Sequence, residues 1–498
     1  MLKRTLTAIG LAAVLLPGCA PTRNAVADPP TRAPEPMSQP GGAASPIGID
    51  TSPAIRPSDP PQVVLIDDDG TGQSLRARPI DPRTLADVPG YLPIAFGHHY
   101  VARVGPDGHT IAAILWPSGS STSGAKIHLI DTRRWLDREL DMAVTNYATA
   151  VHFDPSGTNV FWTQPKESEL TPSVFGVDLA SGRVRELARL SRGFYARDMF
   201  AFGSRLAVYL MPANVPVNGT VQAPTAVPRI ALVETSSETA MEVPLPVRAG
   251  FYPDSTAASE EPFRAIEPGF AWDLARGRLY IADADSDRVF VMDLQTGKIT
   301  GPFEPRPKRS MLDVLWSFVG SVAEAKMTST SRQHAAVSPD GSRLYVTGLR
   351  SDFAKGTDGK YHESVTPLQL RVIDLTDMTE MARMDGATTA LWMSPDGAAL
   401  LYGDNLYDTS VEGYASRSAF RLHLLHHERH DVALPVSGEP LVVGFASRSH
   451  TAYVRVQRFN ASSLSVASLA LVDLAGRGVV RERVMERHFA DVLILGGA

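Results

Sequence analysis

Short apolar runs alternate with tight polar turns along most of the chain, and they do so in a fixed order. The segment Phe270–Lys298 shows this order: a strand, a tight turn at Leu274–Gly277, a second strand, a loop, and a third strand that ends in Asp293. In other copies the first turn reads Pro-Asp-Gly, at 106–108, 339–341 and 395–397. Proline presets φ, aspartate bonds the backbone two residues on, and glycine accepts a positive φ. The pattern predicts a repeated unit of four antiparallel strands.

The complete unit recurs seven times from Gln62 onward. Radial packing of such units, as in a β-propeller, buries both faces of each sheet and leaves only short edges. Two end pieces remain: Val63–Arg78 has the pattern of a third and fourth strand, and Phe489–Leu495 that of a first strand. We expect them to complete one blade, because a ring closes when one terminus pairs with the other. The sequence thus predicts an all-β propeller over residues 62–498 with seven four-stranded antiparallel blades, or alternatively eight.

Two segments resemble blades of known propellers. Leu279–Asp293 is similar to the blade of YVTN and NHL-type propellers, and Ala336–Val346 resembles the inner hairpin of that blade. Both belong to the broad WD-repeat-like superfamily. The resemblance covers most of residues 62–498. It implies the propeller fold and says almost nothing about function, because this fold hosts many activities.

The N-terminus has the parts of a secretory signal. Lys3 and Arg4 supply positive charge, and a short apolar run from Leu6 to Leu16 follows. The ending Leu16-Pro17-Gly18-Cys19 resembles the bacterial lipoprotein lipobox, although Pro17 departs from the commoner alanine or serine. This resemblance implies removal of residues 1–18 and lipidation of Cys19, with palmitate among the acyl chains. It also implies a lipid anchor in the cell envelope, in the outer membrane if the organism has one.

Residues 19–61 form a tether rather than a domain. Prolines recur throughout, with glycine, alanine and serine between them, and such a segment cannot bury a core. We expect it to hold the folded part away from the membrane.

Charge and cysteine content exclude several classes of protein. The chain has 48 basic and 54 acidic side chains, a formal net charge of −6, which argues against nucleic acid as a partner. Cys19 is the single cysteine, which rules out internal disulfides, cysteine-based zinc sites and covalent c-type haem.

Long connections cluster on one predicted face, where the second and third strands of each blade are joined. Long loops on one face of a rigid scaffold usually carry binding. The longer ones are Trp116–Ala125, Thr163–Pro172, Met211–Pro228, Leu349–Pro367, Asp404–Ser418 and Gln457–Ser465. Apolar residues at helical spacing also predict an inserted helix at 310–328. The candidate binding residues are the aromatic side chains in these segments: Trp316, Phe318, Tyr361, Tyr407 and Tyr414.

Candidates for chemistry are few. His98, His99 and His334 precede or begin innermost strands, so they could bind a metal at the central channel or simply line it with polar groups. Asp283, Asp285 and Asp287 begin like a calcium loop, but Arg288 and Leu294 occupy the positions that need glycine and glutamate. Asp67-Asp68-Asp69-Gly70 reads as a turn before a cation site, and His426–His430 misses the His-Glu-x-x-His spacing. No catalytic set and no cofactor motif is readable.

The sequence leaves two functions open. The first is a membrane-anchored binding or scaffold module that contacts a protein or an envelope polymer through its long-loop face. The second is an envelope enzyme with a site in the channel, similar to metal-dependent lactonases or to quinoprotein amine dehydrogenases.

Overall fold

β-Strands make up nearly all the regular structure in the described part of this computed structural model. All described residues lie in the second of the chain's two units, Ala54–Ala498. They are residues 61–495 without 69–74, 98, 117–124, 145–147, 149, 167–170, 215, 218–219, 222, 254–262, 307–328, 356–360, 385–387, 409–415, 427–430, 437, 447–449, 460–464 and 486–488.

Three strands precede the first contiguous four-stranded unit: β1 (Val63–Asp68), β2 (Leu75–Ile80) and β3 (Ile94–Gly97). Blade 1 contains β4 (His99–Val104), β5 (Thr110–Trp116), β6 (Ala125–Asp131) and β7 (Leu136–Val144). Blade 2 contains β8 (Ala150–Phe153), β9 (Asn159–Lys166), β10 (Thr171–Asp178) and β11 (Val184–Arg189). Blade 3 contains β12 (Phe194–Phe202), β13 (Arg205–Pro212), β16 (Arg229–Glu234) and β17 (Thr239–Pro244), with the small hairpin β14 (Pro216–Val217) and β15 (Thr220–Val221) inserted after β13. A second hairpin, β18 (Gly250–Pro253) and β19 (Phe263–Glu267), follows blade 3.

Blade 4 contains β20 (Gly269–Asp273), β21 (Arg278–Ala282), β22 (Val289–Asp293) and β23 (Ile299–Phe303), with a 3₁₀ turn at Leu274–Arg276. Blade 5 contains β24 (Ser329–Val337), β25 (Arg343–Lys355), β26 (Tyr361–Asp374) and β27 (Thr379–Met384). Blade 6 contains β28 (Thr388–Met393), β29 (Ala399–Asp408), β30 (Ser416–His426) and β31 (Asp431–Leu434). Blade 7 contains β32 (Glu439–Ala446), β33 (Thr451–Phe459), β34 (Ser465–Asp473) and β35 (Gly478–Val484), and the last strand is β36 (Phe489–Ile494).

Strands within each contiguous blade pair antiparallel in chain order, as the repeat predicts. The first strands of neighbouring blades contact one another, for example β4 with β8 and β24 with β28, so they surround the central channel. Each blade has two ends, which we name by the connections between its strands. The tight-turn end is where strand one joins strand two, and the loop end is where strand two joins strand three.

The ring has eight blades, and the expectation of seven is wrong. β36 pairs with β1, β1 with β2, and β2 with β3, which makes a complete blade 8 from the two ends of the described chain. Val63 lies opposite Ile494, so the termini do complete one blade as expected. The N-terminal piece supplies its second, third and fourth strands rather than its third and fourth. Because this blade adds to the seven contiguous units instead of filling one of them, the count rises to eight.

Apolar side chains fill the spaces between blades. Leu206 and Val208 of blade 3 pack against Val174 and Leu187 of blade 2, and all four are buried. This arrangement explains why the central strands are apolar on both faces. It also requires close approach: a Cβ atom on Gly269 would lie 3.0 Å from the backbone carbon of His334, so only glycine lets β20 lie this close to β24.

The tight turns of neighbouring blades touch. Gly397 of blade 6 has φ +69°, and a Cβ atom there would lie 2.6 Å from Pro339 Cδ in the turn of blade 5. The Arg276 guanidinium of blade 4 donates hydrogen bonds to the carbonyls of Pro339 (3.1 Å) and Asp340 (2.5 Å). The Pro-Asp-Gly turns therefore link blade to blade as well as strand to strand.

The hairpin β18–β19 is an insertion that the sequence did not predict. β19 runs parallel to β24, with Ile266 opposite Ser331 and Glu267 opposite Arg332, so it extends the inner edge of blade 5 toward the loop end. The helix expected at 310–328 lies outside the described residues. Within the described ranges, no helix has the length and apolar character needed to cross a membrane.

Candidate functional site

The loop end carries long paired strands where the sequence predicted long loops. In blade 5 the β25–β26 pairing continues from Arg343 opposite Asp374 to Lys355 opposite Tyr361, beyond the last pair that β25 makes with β24. Blades 6 and 7 extend in the same way, as far as Asp408 opposite Ser416 and Phe459 opposite Ser465. The described parts of segments 349–367 and 404–418, which were expected to be irregular loops, are paired strands.

The predicted aromatic binding residues are placed only in part. Tyr361 begins β26 and Tyr407 lies near the end of β29, so both backbones are at the loop end, but their side chains are outside the described set. Trp316, Phe318 and Tyr414 lie outside the described residues, as does Cys19.

The predicted histidines do not come from neighbouring blades. His99 begins β4 of blade 1 and His334 lies in β24 of blade 5, so their strands stand on opposite sides of the eight-membered ring. His98 and the side chain of His99 fall outside the described set. Burial, with a smaller contribution from Arg332, lowers the pKa of His334 to about 4, and Glu267 opposes that shift. In the parts of the chain that the structure describes, no three His, Cys, Asp or Glu side chains are grouped as metal ligands.

The acidic turns hold arginine and serine rather than forming an open carboxylate cage. Asp285 pairs with Arg248 (3.5 Å), Asp287 pairs with Arg371 (3.3 Å), and Asp283 accepts the Ser286 hydroxyl (2.6 Å). In blade 8, Asp67 is buried and forms an ion pair with Arg78 (2.7 Å). Residues 427–430 of the histidine-rich turn are not described.

A polar cluster that the sequence did not predict lies at the tight-turn end of the channel. Arg103 of β4 is exposed, and its Nη2 donates to His152 Nε2 of β8 at 3.1 Å. Burial, together with the Arg103 charge, lowers the pKa of His152 to about 3, so the ring is neutral near pH 7. Because a guanidinium can only donate, Nε2 is the acceptor and the proton of this neutral ring is on Nδ1.

Two carboxyl groups lie in the field of the same arginine. Burial raises the pKa of Asp198 in β12 and raises that of Asp491 in β36 to about 6, and Arg103 opposes both shifts. Arg455 also acts on Asp491, and burial beside Asp491 raises the pKa of Tyr100 well above its ordinary value. Raised carboxyl pKa values in a cleft are typical of binding and catalytic sites.

Aromatic rings continue from the imidazole along the inner strands. The His152 and Phe200 ring centroids are 5.3 Å apart, and those of Phe200 and Trp272 are 4.5 Å apart. All three side chains are partly exposed. The row therefore crosses blades 2, 3 and 4 next to Arg103 of blade 1.

Alignment of the repeats contains a signal for this cluster. Arg103 and the three rings of the row occupy equivalent positions, two residues before the first turn of each blade. In blades 1 to 7 this position holds, in order, Arg103, His152, Phe200, Trp272, Ala336, Trp392 and Phe445. The polar residues occupy only blades 1 and 2, so this position distinguishes one side of the channel from the other.

The fold and the channel define an eight-bladed β-propeller. No protein-family model matches the sequence, and no curated protein matches it. Among solved structures, the dihydro-heme d1 dehydrogenase NirN is similar with a TM-score of 0.51 and 12% identity, over 89% of this chain and 78% of that one. Dipeptidyl peptidase 4 of Porphyromonas gingivalis has a TM-score of 0.46 and 11% identity, over 85% and 59% of the two chains. Oligogalacturonate lyase has a TM-score of 0.39 and 12% identity, over 82% and 96%. At 12% identity the likeness to NirN shows the fold alone.

Proposed function

We propose that the protein is a membrane-tethered, extracytoplasmic propeller that binds a protein or an envelope polymer through the loop end of its ring. Lipidation of Cys19 is part of this proposal, as is the tether of residues 19–61. The lipobox resemblance and the proline-rich composition support both. Two or more acyl chains would give stable anchoring without a spanning helix.

The observation that carries the proposal is the unequal length of the blades at the loop end. The second and third strands have 13 and 14 residues in blade 5, 10 and 11 in blade 6, and 9 each in blade 7, whereas those of blade 4 have 5 each. These strands are longest in blades 5 and 6, and in blades 2, 5, 6 and 7 their pairing continues beyond the first strand at the loop end. Rigid paired strands present a surface with less loss of conformational entropy on binding than loops do.

The two ends of the described chain lie at the tight-turn end of the ring. The described chain enters the ring at the tight-turn end, where the Leu495 amide donates to the Gln62 carbonyl at 2.8 Å. The start and the end of the described propeller therefore lie away from the extended hairpins. This leaves the loop end as the surface for a partner.

The test places a photo-crosslinking amino acid at Thr366, an exposed position in β26, in the full-length protein in its own host. Arg133, exposed in a turn at the tight-turn end, is the matched position for comparison. Residues 354–362 are then replaced by Asn-Gly, which leaves Phe353 and Glu363 as the closing pair of a two-residue hairpin. Cys19→Ser is examined in parallel by detergent-phase partition.

We expect a discrete adduct from Thr366 and none from Arg133, and loss of that adduct in the shortened variant while its thermal unfolding is unchanged. Cys19→Ser should move the protein from the detergent phase to the aqueous phase. Equal adducts from both positions, or an adduct that survives shortening, would refute binding through the loop end. A protein that stays in the detergent phase without Cys19 would refute the anchor.

A further inference from the structure

The tight-turn end of the channel collects chemistry that binding at the loop end does not use. Arg103 and His152 come from blades 1 and 2, Asp198 from blade 3, and Asp491 from blade 8. Four neighbouring blades thus direct ionisable groups to one side of the ring. Because side chains from separate repeats converge there, local turn or strand structure does not account for the cluster.

The charges in the cluster are close but not paired. Among the residues that the structure describes, Arg103 forms no ion pair with either Asp198 or Asp491, although it influences both. Each carboxylate accepts a hydrogen bond from the amide of the next residue, Met199 (2.9 Å) or Val492 (2.8 Å). A ligand that contacts both Arg103 and a carboxylate would therefore bridge opposite charges that form no ion pair with each other.

The mixture of charges selects the ligand chemistry. A simple anion would meet two carboxylates, and a simple cation would meet Arg103 and the exposed Arg197 of β12. A hydroxyl group can donate to a carboxylate and accept from a guanidinium at the same time. Neutral His152 adds an Nδ1–H donor to the set. The arrangement therefore favours a ligand with several hydroxyls over a singly charged ion.

The aromatic row supplies the second half of the recognition. Phe200 and Trp272 are partly exposed, Phe200 adjoins His152, and Trp272 adjoins Phe200. Flat apolar ring faces beside a few convergent polar groups are the ordinary composition of a small-molecule site. The C–H faces of a sugar ring are apolar and its rim is hydroxylated, so a sugar matches both parts.

We propose that the tight-turn end of the channel, lined by Arg103, His152, Asp198, Asp491, Phe200 and Trp272, binds a saccharide unit. The sugar packs on the Phe200–Trp272 side, and its hydroxyls bridge Arg103 to the two carboxylates. Entry is from the tight-turn end, because Arg103, His152, Phe200 and Trp272 all lie two residues before the first turn of their blades. This site is distinct from the protein or polymer surface at the loop end.

The test is calorimetric titration of the purified propeller with chitotetraose, cellotetraose and trigalacturonate, and separately with inorganic phosphate and glycine betaine. The variants are Arg103→Ala, Trp272→Leu and, in case the first does not fold, Arg103→Lys. Arg134→Ala is the matched control, since Arg134 is an exposed arginine of the same blade outside the channel. Thermal unfolding of every variant checks that the ring is intact.

We expect at least one saccharide to bind, with Kd raised tenfold or more by each channel variant and unchanged by Arg134→Ala. No binding of any of the three saccharides would overturn the proposal. So would binding of phosphate or glycine betaine alone, or saccharide binding that the channel variants leave intact. The crosslinking result at Thr366 is independent of all these outcomes, so the two proposals can fail separately.

Discussion

The two ends of the blades differ in how closely one blade repeats the next. At the tight-turn end the same hydrogen bonds recur: the hydroxyls of Ser338 and Ser394 donate to the aspartate two residues on (2.5 and 2.7 Å) and accept the amide five residues on (2.9 Å in both). At the loop end the second strand has 5 residues in blade 4 and 13 in blade 5. The tight-turn end therefore holds the ring together, whereas the loop end is free to vary from blade to blade.

The largest loss of stability should come from overpacking the contact between two neighbouring turns. Gly397→Ala adds a Cβ atom at φ +69°, 2.6 Å from Pro339 Cδ. We expect the free energy of unfolding to fall by about 2–4 kcal/mol, from backbone strain and overpacking together. Gly182→Ala is the matched control, because Gly182 also has φ +69° and nothing lies within 4 Å of its added Cβ atom.

Urea unfolding of both variants measures this difference. The control should lose only the backbone part, about 1–2 kcal/mol. Equal losses in the two variants would show that contacts between neighbouring turns do not stabilise the ring.

A smaller loss of stability is expected when the arginine that joins two turns is replaced. Arg276→Ala removes the bonds to the Pro339 and Asp340 carbonyls and leaves Asp273, which is buried, without its ion pair. We expect a loss of about 2 kcal/mol in the free energy of unfolding. Arg134→Ala breaks an exposed pair and should change it by less than about 0.5 kcal/mol. Similar values for the two variants would argue against coupling between blades 4 and 5 at this end.

A third effect is a pH dependence of the free energy of unfolding, and it has opposite signs in two variants. The pKa of His152 is about 3 in the folded protein against an ordinary 6.5, so acidification protonates the unfolded state first and lowers stability from about pH 6.5 downward. The pKa of Asp491 is about 6 against 3.8, so the folded state binds its proton first and gains stability as the pH falls from about 6 to 3.8.

Unfolding curves at a series of pH values separate the two groups. His152→Asn should reduce the loss of stability on acidification, and Asp491→Asn should increase it. A change of the same sign in both variants would contradict the burial of these side chains beside Arg103, Arg455 and Tyr100.

The sequence predicts turns and strands, which depend on neighbouring residues, but it does not predict which strands distant in sequence pair with each other. The Phe270–Lys298 unit and the Pro-Asp-Gly turns could be read because proline, aspartate and glycine encode turns within four residues, and the structure confirms both. The strand order of blade 8 could not be read, since apolar alternation marks a strand without naming its neighbour. The parallel pairing of β19 with β24 was missed for the same reason.

The candidate sites divide in the same way. The long connections at the loop end could be predicted from segment length. The pairing of strands within them could not. The channel cluster was missed because Arg103 and His152 look like isolated polar residues until the blades are superimposed. Comparison of the residue two positions before each first turn would have found them, since that position is polar in blades 1 and 2 and aromatic in blades 3 and 4.

The pairing of Val63 with Ile494 also determines when the ring can close during synthesis of the chain. A ribosome makes β1 long before β36, so blade 8 lacks its first strand until β36 has been made. Until then the buried cluster that contains Leu65 and Tyr453 lacks Val492, which β36 contributes. A chain that stops before Phe489 would offer an open sheet edge to any other strand. Pairing of β36 with β1 is therefore the step that closes the ring.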